Sequence, residues 1–439
     1  MTGRERRSEL SRRRLLSAAV SGAVGGLAGC GYRPGGGDLA WESSIGPDGL
    51  HRTGPPRFAV TSDRLFAVRN QSGLTYDFGT STWQDVENAS VTAVDESGET
   101  RLAAETERQA VAPPAVTEEL LFVPVEGGRI TAIDRGTAGI DPNARRTTGG
   151  TSGDGAESDE AEGDDVRWQV DGIATADDGT ADSPGIDGVR ASGRLAVAIA
   201  GPELIALDAE TGDRAFQVPE AWPDRAGASD RVAVDGGNVW AAIVSESDGR
   251  SGGESEGATP VLTRFGPSGE RRAERPVSVD ISWLVRVGET LVAGSAAAGT
   301  VIGFDPNLDR RFSLSVPAPR DRPPVVEGDR EKGSARQRLY LRRGGTVRAL
   351  DVGDGDTAWK RTDLPAHQRV AVDSNGVYAV GSRAILAVGV DGEDRWRAPL
   401  PEGVTVDELF AVGGRLVAFD DGELYGFHAT PGERWSLIG

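Results

Sequence analysis

The feature that most constrains how this chain can fold is a short pattern that returns along it. Residues 204–216, LIALDAETGDRAF, and residues 347–359, VRALDVGDGDTAW, share Ala-Leu-Asp, three residues, Gly, three residues and an aromatic. Looser copies stand at residues 91–102, 262–273, 301–312, 386–396 and 424–435. An eighth, residues 130–139, is followed by a polar insertion and then DDVRWQV. The turn residue falls at Gly212, Gly269, Leu308, Gly355, Gly392 and Gly432, in steps of 57, 39, 47, 37 and 40 residues. The longest step contains the insertion SESDGRSGGESEGA. Without it the period is near 40 residues, the length of one small sheet in a closed array of sheets.

Within a unit, strand-length apolar runs alternate with turns. Residues 369–373, 376–381, 384–390 and 394–400 are four such runs, separated by Gly, Asp, Asn or Ser. From residue 30 onward there is no long amphipathic helical pattern. The reading is an all-β chain of four-stranded units. One unit cannot bury both faces of its sheet, whereas units stacked around an axis bury each face against a neighbour. The aromatics Trp168, Phe216, Phe312, Trp359, Trp396 and Trp435 are expected between units. Asp208 and Asp351 are expected to accept backbone N–H bonds in the turns. Gly212, Gly355, Gly392 and Gly432 are expected to supply positive φ there.

These residues resemble the PQQ-like β-propellers, whose repeats carry A-x-D-x-x-T-G-x-x-x-W. Asp208, Thr211, Gly212 and Phe216 fall on that signature, as do Asp351, Gly355 and Trp359, with Asp354 where Thr is expected. The resemblance covers residues 38–439 and implies an all-β PQQ-like β-propeller of eight four-stranded blades. Seven blades stay open, because DLAWESS at 38–44 and ERWSLIG at 433–439 both read as last strands. One of them completes the ring from the other end of the chain.

The first thirty residues read as an address. Ser11-Arg12-Arg13-Arg14-Leu15-Leu16 resembles a twin-arginine export motif, with Arg12 and Arg13 as its pair. The uncharged run at residues 15–29 is too short to span a bilayer comfortably and suits a signal core. Leu27-Ala28-Gly29-Cys30 resembles a lipoprotein box, and Cys30 is the sole cysteine. Residues 1–29 are therefore expected to be a signal peptide and residues 30–37 a flexible tether lipidated at Cys30. The protein is then exported and lipid-anchored on the outer face of the cytoplasmic membrane. A sole cysteine leaves no disulfide framework, so packing must supply stability.

Charge narrows the partners. The chain carries 68 acidic and 48 basic residues, a net charge of −20. Removing the six arginines and two glutamates of residues 1–29 leaves 66 against 42, a net charge of −24. Such a surface repels phosphate backbones, so no nucleic acid is expected as partner. Lys332 and Lys360 are the only lysines. Many acids with almost no lysine resemble proteins of extreme halophiles, including haloarchaeal surface proteins.

Candidate chemistry is sparse. Asp351, Asp354 and Asp356 crowd one turn, but at positions 1, 4 and 6 rather than the 1, 3 and 5 of an EF-hand calcium loop. Recurrence of the pattern across units marks it as structural. His51, His367 and His428 have no neighbouring His or Cys, and His428 occupies a turn-Asp slot. No G-x-S-x-G, H-E-x-x-H or P-loop is present. No metal site or catalytic residue is assigned. Segments 141–165 and 245–258 are acidic, rich in Gly and Ser, and expected to be disordered loops. A third segment, 71–89, reads as a loop whose Tyr76, Phe78 and Trp83 suit contact with a partner.

The resemblance to quinoproteins implies PQQ and calcium held with the help of a vicinal Cys pair. The one cysteine here is taken by the lipid, so no cofactor is expected. The expected function is a non-catalytic binding or scaffolding platform for envelope or surface proteins. In layout the chain resembles the propeller lipoprotein of the bacterial outer-membrane barrel-assembly machinery. That role does not carry over to a halophile of the archaeal kind, which has no outer membrane. A PQQ-dependent oxidoreductase and a sensor of an envelope ligand are the alternatives.

Overall fold

Strands form where apolar residues recur at every second position, and turns led by Asp or Gly separate them. The computed structural model describes residues 35–45, 52–77, 81–135, 165–173, 185–222, 228–244, 260–326, 337–365 and 370–430. In these residues the strands assemble into eight separate antiparallel sheets. Blade 1 contains Arg57–Val60, Arg64–Asp77, Thr82–Asp95 and Thr100–Thr106, with the short Arg52–Thr53 added beside its second strand. Blade 2 follows with Ala115–Val116, Leu120–Val125, Arg129–Asp134 and Val166–Val170. Blade 3 is Ile186–Ser192, Leu195–Ala200, Glu203–Asp208 and Arg214–Val218. Blade 4 is Val232–Asp235, Asn238–Val244, Pro260–Phe265 and Arg271–Pro276. Blade 5 is Trp283–Val287, Thr290–Ser295, Thr300–Phe304 and Arg310–Ser315. Blade 6 is Val325–Val326, Arg338–Arg343, Thr346–Asp351 and Thr357–Arg361. Blade 7 is Val370–Asp373, Gly376–Val380, Ala384–Gly389 and Asp394–Pro399.

Blade 8 joins the two ends of the chain. Glu408–Val412, Arg415–Asp420 and Glu423–His428 supply three strands, and Leu39–Ser44 is the outer fourth. Its register runs from Leu39 opposite Phe427 to Ser44 opposite Glu423. The ring therefore has eight blades, and the N-terminal strand closes it.

The core is distributed over the blade interfaces. Among the described residues eight apolar clusters are found, and each spans two neighbouring blades. The second strand of blade 3 shows why. Ala196 and Ala198 face the blade 2 side, while Leu195, Val197 and Ile199 face the blade 4 side. Alternation along one strand thus feeds two cores, so the whole strand is buried. Outer strands reach solvent instead, and Arg310–Ser315 alternates exposed with half-buried.

Antiparallel order also fixes the two ends of the ring. Turns joining first to second and third to fourth strands lie at one end, called here the turn face. Hairpins joining second to third strands, and the links from one blade to the next, lie at the other end, the link face. Among the described residues no helix is long and apolar enough to cross a membrane.

Two expectations need correction. Segment 71–89 is a hairpin rather than a loop. Arg64–Asp77 pairs with Thr82–Asp95 along their whole length, up to Asp77 opposite Thr82. Residues 35–37 belong to the ring rather than to a tether, as described below. Residues 1–34 lie outside the described residues, and with them Arg12, Arg13 and Cys30. The same holds for segments 141–164 and 245–258, and for His51, Phe78, His367, Gly432 and Trp435.

Candidate functional site

The recurrent turn is a latch between blades. In blade 3 the Asp208 carboxylate accepts the N–H groups of Glu210 at 2.9 Å and Thr211 at 3.2 Å. Gly212 donates its N–H to the Asp208 carbonyl at 2.9 Å and has φ 78°. A Cβ at Gly212 would stand 2.8 Å from the Trp168 ring of blade 2. Trp168 Nε1 in turn donates to the Ala209 carbonyl of that turn at 3.0 Å. The glycine is required twice, once for its φ and once for the ring pressed on it.

The same arrangement recurs around the ring. Phe216 covers Gly269, Phe312 covers Gly355, and Trp359 covers Gly392. Trp359 Nε1 donates to the Val390 carbonyl at 2.9 Å, and Trp396 Nε1 to the Ala429 carbonyl at 3.0 Å. Asp351 spends its side chain on the Gly353 N–H at 3.1 Å, and Asp354 on the Asp356 N–H at 2.9 Å. The crowded aspartates are therefore occupied with their own turn. Among the described residues no group of three or more His, Cys, Asp or Glu is placed to hold a metal ion.

Blade 8 makes this turn from both chain ends. Gly37, with φ 84°, donates to the His428 carbonyl at 2.8 Å, as Gly212 does to Asp208. The His428 N–H donates to the Asp38 carbonyl at 3.0 Å, as Asp208 does to Asp213. Four residues after Gly37, Trp41 lies over Gly98 of blade 1 and donates Nε1 to the Glu96 carbonyl at 2.8 Å. Gly37 and Trp41 thus hold the places that the sequence pattern gives to Gly432 and Trp435.

Two further features stand apart from this scaffolding. The first is the hairpin of blade 1. Among the described residues its inner neighbours end at Arg52, opposite Ser72, and its outer neighbour ends at Thr106, opposite Ala89. Residues 73–77 and 82–86 therefore continue as a two-stranded ribbon at the link face. Trp83 is 66% exposed and Leu74 57% exposed. Trp83 pairs with Tyr76, two residues from Leu74, so Leu74 and Trp83 emerge on one face.

The second is the central channel, a cavity of about 830 Å³. First strands of successive blades neighbour one another around it. Arg190 reaches it from the first strand of blade 3. Ser229 and Asp230 reach it from the link before blade 4, and Arg322 from the link before blade 6. The first strand of blade 6 is two residues long, so Tyr340 and Arg342 of its second strand also line the channel. Arg190 is bound to Asp230 at 2.8 Å and donates to the Ser229 carbonyl at 3.1 Å. Arg342 donates to the Pro365 carbonyl at 3.3 Å. Sequence reasoning missed these residues, because no local motif joins positions 190, 322 and 342. Only the ring brings them together.

Comparison with known proteins follows the fold. A family model described as outer membrane protein assembly factor BamB matches residues 26–311 and 343–437. The chain belongs to this family. Membership supports a scaffolding or binding role in general. No curated protein matches the sequence significantly. Among solved structures, the computationally designed Ika8 protein is 13% identical with a TM-score of 0.50, over 90% of this chain and 100% of that one. BamB from Moraxella catarrhalis is also 13% identical, with a TM-score of 0.49 over 89% of this chain and 97% of that one. Sqt1 of Saccharomyces cerevisiae is 9% identical, with a TM-score of 0.49 over 83% and 93%. At such identities the likeness to Ika8 concerns fold alone.

Proposed function

We propose that this protein is an exported, lipid-anchored propeller that holds envelope or surface proteins without catalysing a reaction on them. The observation that carries the proposal is the blade 1 ribbon. It extends past its own sheet and presents Leu74 and Trp83 to solvent. Exposed Trp beside exposed Leu, on a ribbon that extends past its own sheet, is the surface chemistry of a protein contact. Membership of a family described as an assembly factor agrees with it.

The anchor suits this geometry. Four residues lie between Cys30 and Gly35, so five Cα-to-Cα steps give a reach of at most roughly 18 Å. Gly35 leads into the outer strand of blade 8 at the turn face. A lipid on Cys30 would keep that side near the membrane and leave the link face and its ribbon free. The acidic, lysine-poor surface fits a high-salt envelope, where hydrated carboxylates keep a protein soluble.

Crosslinked co-purification from native membranes tests the proposal. The wild type should recover a defined set of envelope proteins. The double variant Leu74→Ser/Trp83→Ser should lose most of them while remaining folded. Undiminished recovery by the variant, or dye-linked turnover on addition of PQQ and Ca²⁺, would overturn it.

A further inference from the structure

We infer that the central channel is a binding site for a small organic or inorganic polyanion, one carrying carboxylate or phosphate oxygens. Arg190, Arg322 and Arg342 converge on one cavity in a chain whose net charge is −20. Four carboxylates, Asp187, Asp230, Asp321 and Glu408, share the cavity with these three arginines. Asp230 is engaged by Arg190. Arg322 has no hydrogen-bond or ion-pair partner among the described residues, and Arg342 has only the Pro365 carbonyl. Asp187 and Asp321 are exposed, Asp187 accepts the Gly201 N–H at 3.1 Å, and Glu408 stands on the blade 8 side.

A partly buried guanidinium without a partner is costly, because desolvation is not repaid by an opposite charge. Desolvation and the neighbouring Arg190 push Arg322 down to about 10, against the pull of Asp230. Arg342 is lowered by desolvation as well. Both stay protonated at neutral pH, so two desolvated cations face an open cavity. An oxyanion supplies what they lack. The planar fork of each guanidinium matches two oxygens of a carboxylate or phosphate. A volume near 830 Å³ lies in the range of small-molecule sites. The walls agree with an organic ligand, since Pro319, Pro323, Tyr340 and Phe410 alternate with the charges. This site lies apart from the ribbon and does not depend on the platform function.

Calorimetric titration of the purified full-length protein with citrate, with inorganic phosphate and with neutral sucrose tests the inference. One-to-one saturable binding is expected for citrate or phosphate, and the better of the two names the oxyanion. Arg322→Gln should weaken it roughly 10- to 100-fold, and Arg342→Gln should weaken it too. Arg194→Gln should not, because that side chain is 88% exposed at the turn face. Arg322 sits in a link, so near-UV circular dichroism should show the variant folded. Absence of saturable binding by both anions would overturn the inference. So would equal binding by wild type and folded Arg322→Gln, or binding of sucrose as tight as that of the anions.

Discussion

At the scale of single residues, glycine and ring size are matched across each blade interface. Blade 5 carries Leu308 where its neighbours carry glycine, and Leu308 still adopts φ 66°. The reason lies one blade earlier. The aromatic slot of blade 4 is occupied by Ala273, so no ring presses on that turn. The Leu308 side chain fills the space instead, buried to 1% beside Ala273. Leu308→Gly should therefore cost about 1–4 kcal/mol, the loss of a large-to-small core change less the roughly 1 kcal/mol recovered because glycine adopts this φ freely. Adding Ala273→Phe should restore most of that loss, although alone it overpacks the interface. Denaturant midpoints of the two single variants and the double variant check this as a double-mutant cycle. Additive losses would mean that the two positions do not share one space. By contrast, Gly355 lies under Phe312, where a Cβ would stand 2.4 Å from the ring. No such exchange is open to it without removing the aromatic.

At the scale of elements, closure of the ring is a turn made without a covalent link between its halves. Its histidine makes it sensitive to pH. His428 stands where other blades place Asp or Gly, and its ring meets the Arg415 guanidinium. Desolvation, then the Arg415 charge, lowers its pKa from 6.5, while Asp38 opposes the shift. The folded state thus favours the neutral ring. Its contribution is complete above pH 6.5 and is lost as pH falls from there through the lower folded value. Thermal midpoints should therefore drop more between pH 6.5 and 5 in the wild type than in His428→Gln. Equal slopes would remove His428 from the closure. This element was half legible in the sequence. Both chain ends carried the outer-strand pattern, but Leu39–Ser44 pairs with Glu423–Phe427 across nearly the whole chain, and local pattern cannot choose between such partners. The ribbon was misread for a related reason. Leu74 and Tyr76 alternate with Thr75 and Asp77, but the run is short and stands between Gly73 and Gly79, so by itself it looks like a loop.

At the scale of the whole molecule, eight interfaces share the stability and none dominates. The blades were legible because most of them repeat at least two of Asp, Gly and an aromatic at fixed spacing. The channel was not, because its arginines come from three distant positions and signal only when the ring closes. The acidic surface carries its own prediction. With 68 acids against 48 basic residues, self-repulsion should outweigh interface packing when salt is withdrawn. Near-UV circular dichroism should collapse in low salt and return in molar salt. A spectrum unchanged in low salt would count against adaptation to a saline envelope. The proposed function makes the ribbon, not the ring, the part that meets other proteins, and photo-crosslinking in native membranes tests this most directly. A photo-reactive residue is placed at position 83 on the ribbon, or at position 390, which is 43% exposed in an outer turn of blade 7. Discrete adducts with envelope proteins from position 83, and none from position 390, are the predicted result. No adducts from position 83, or the same adducts from both positions, would contradict it.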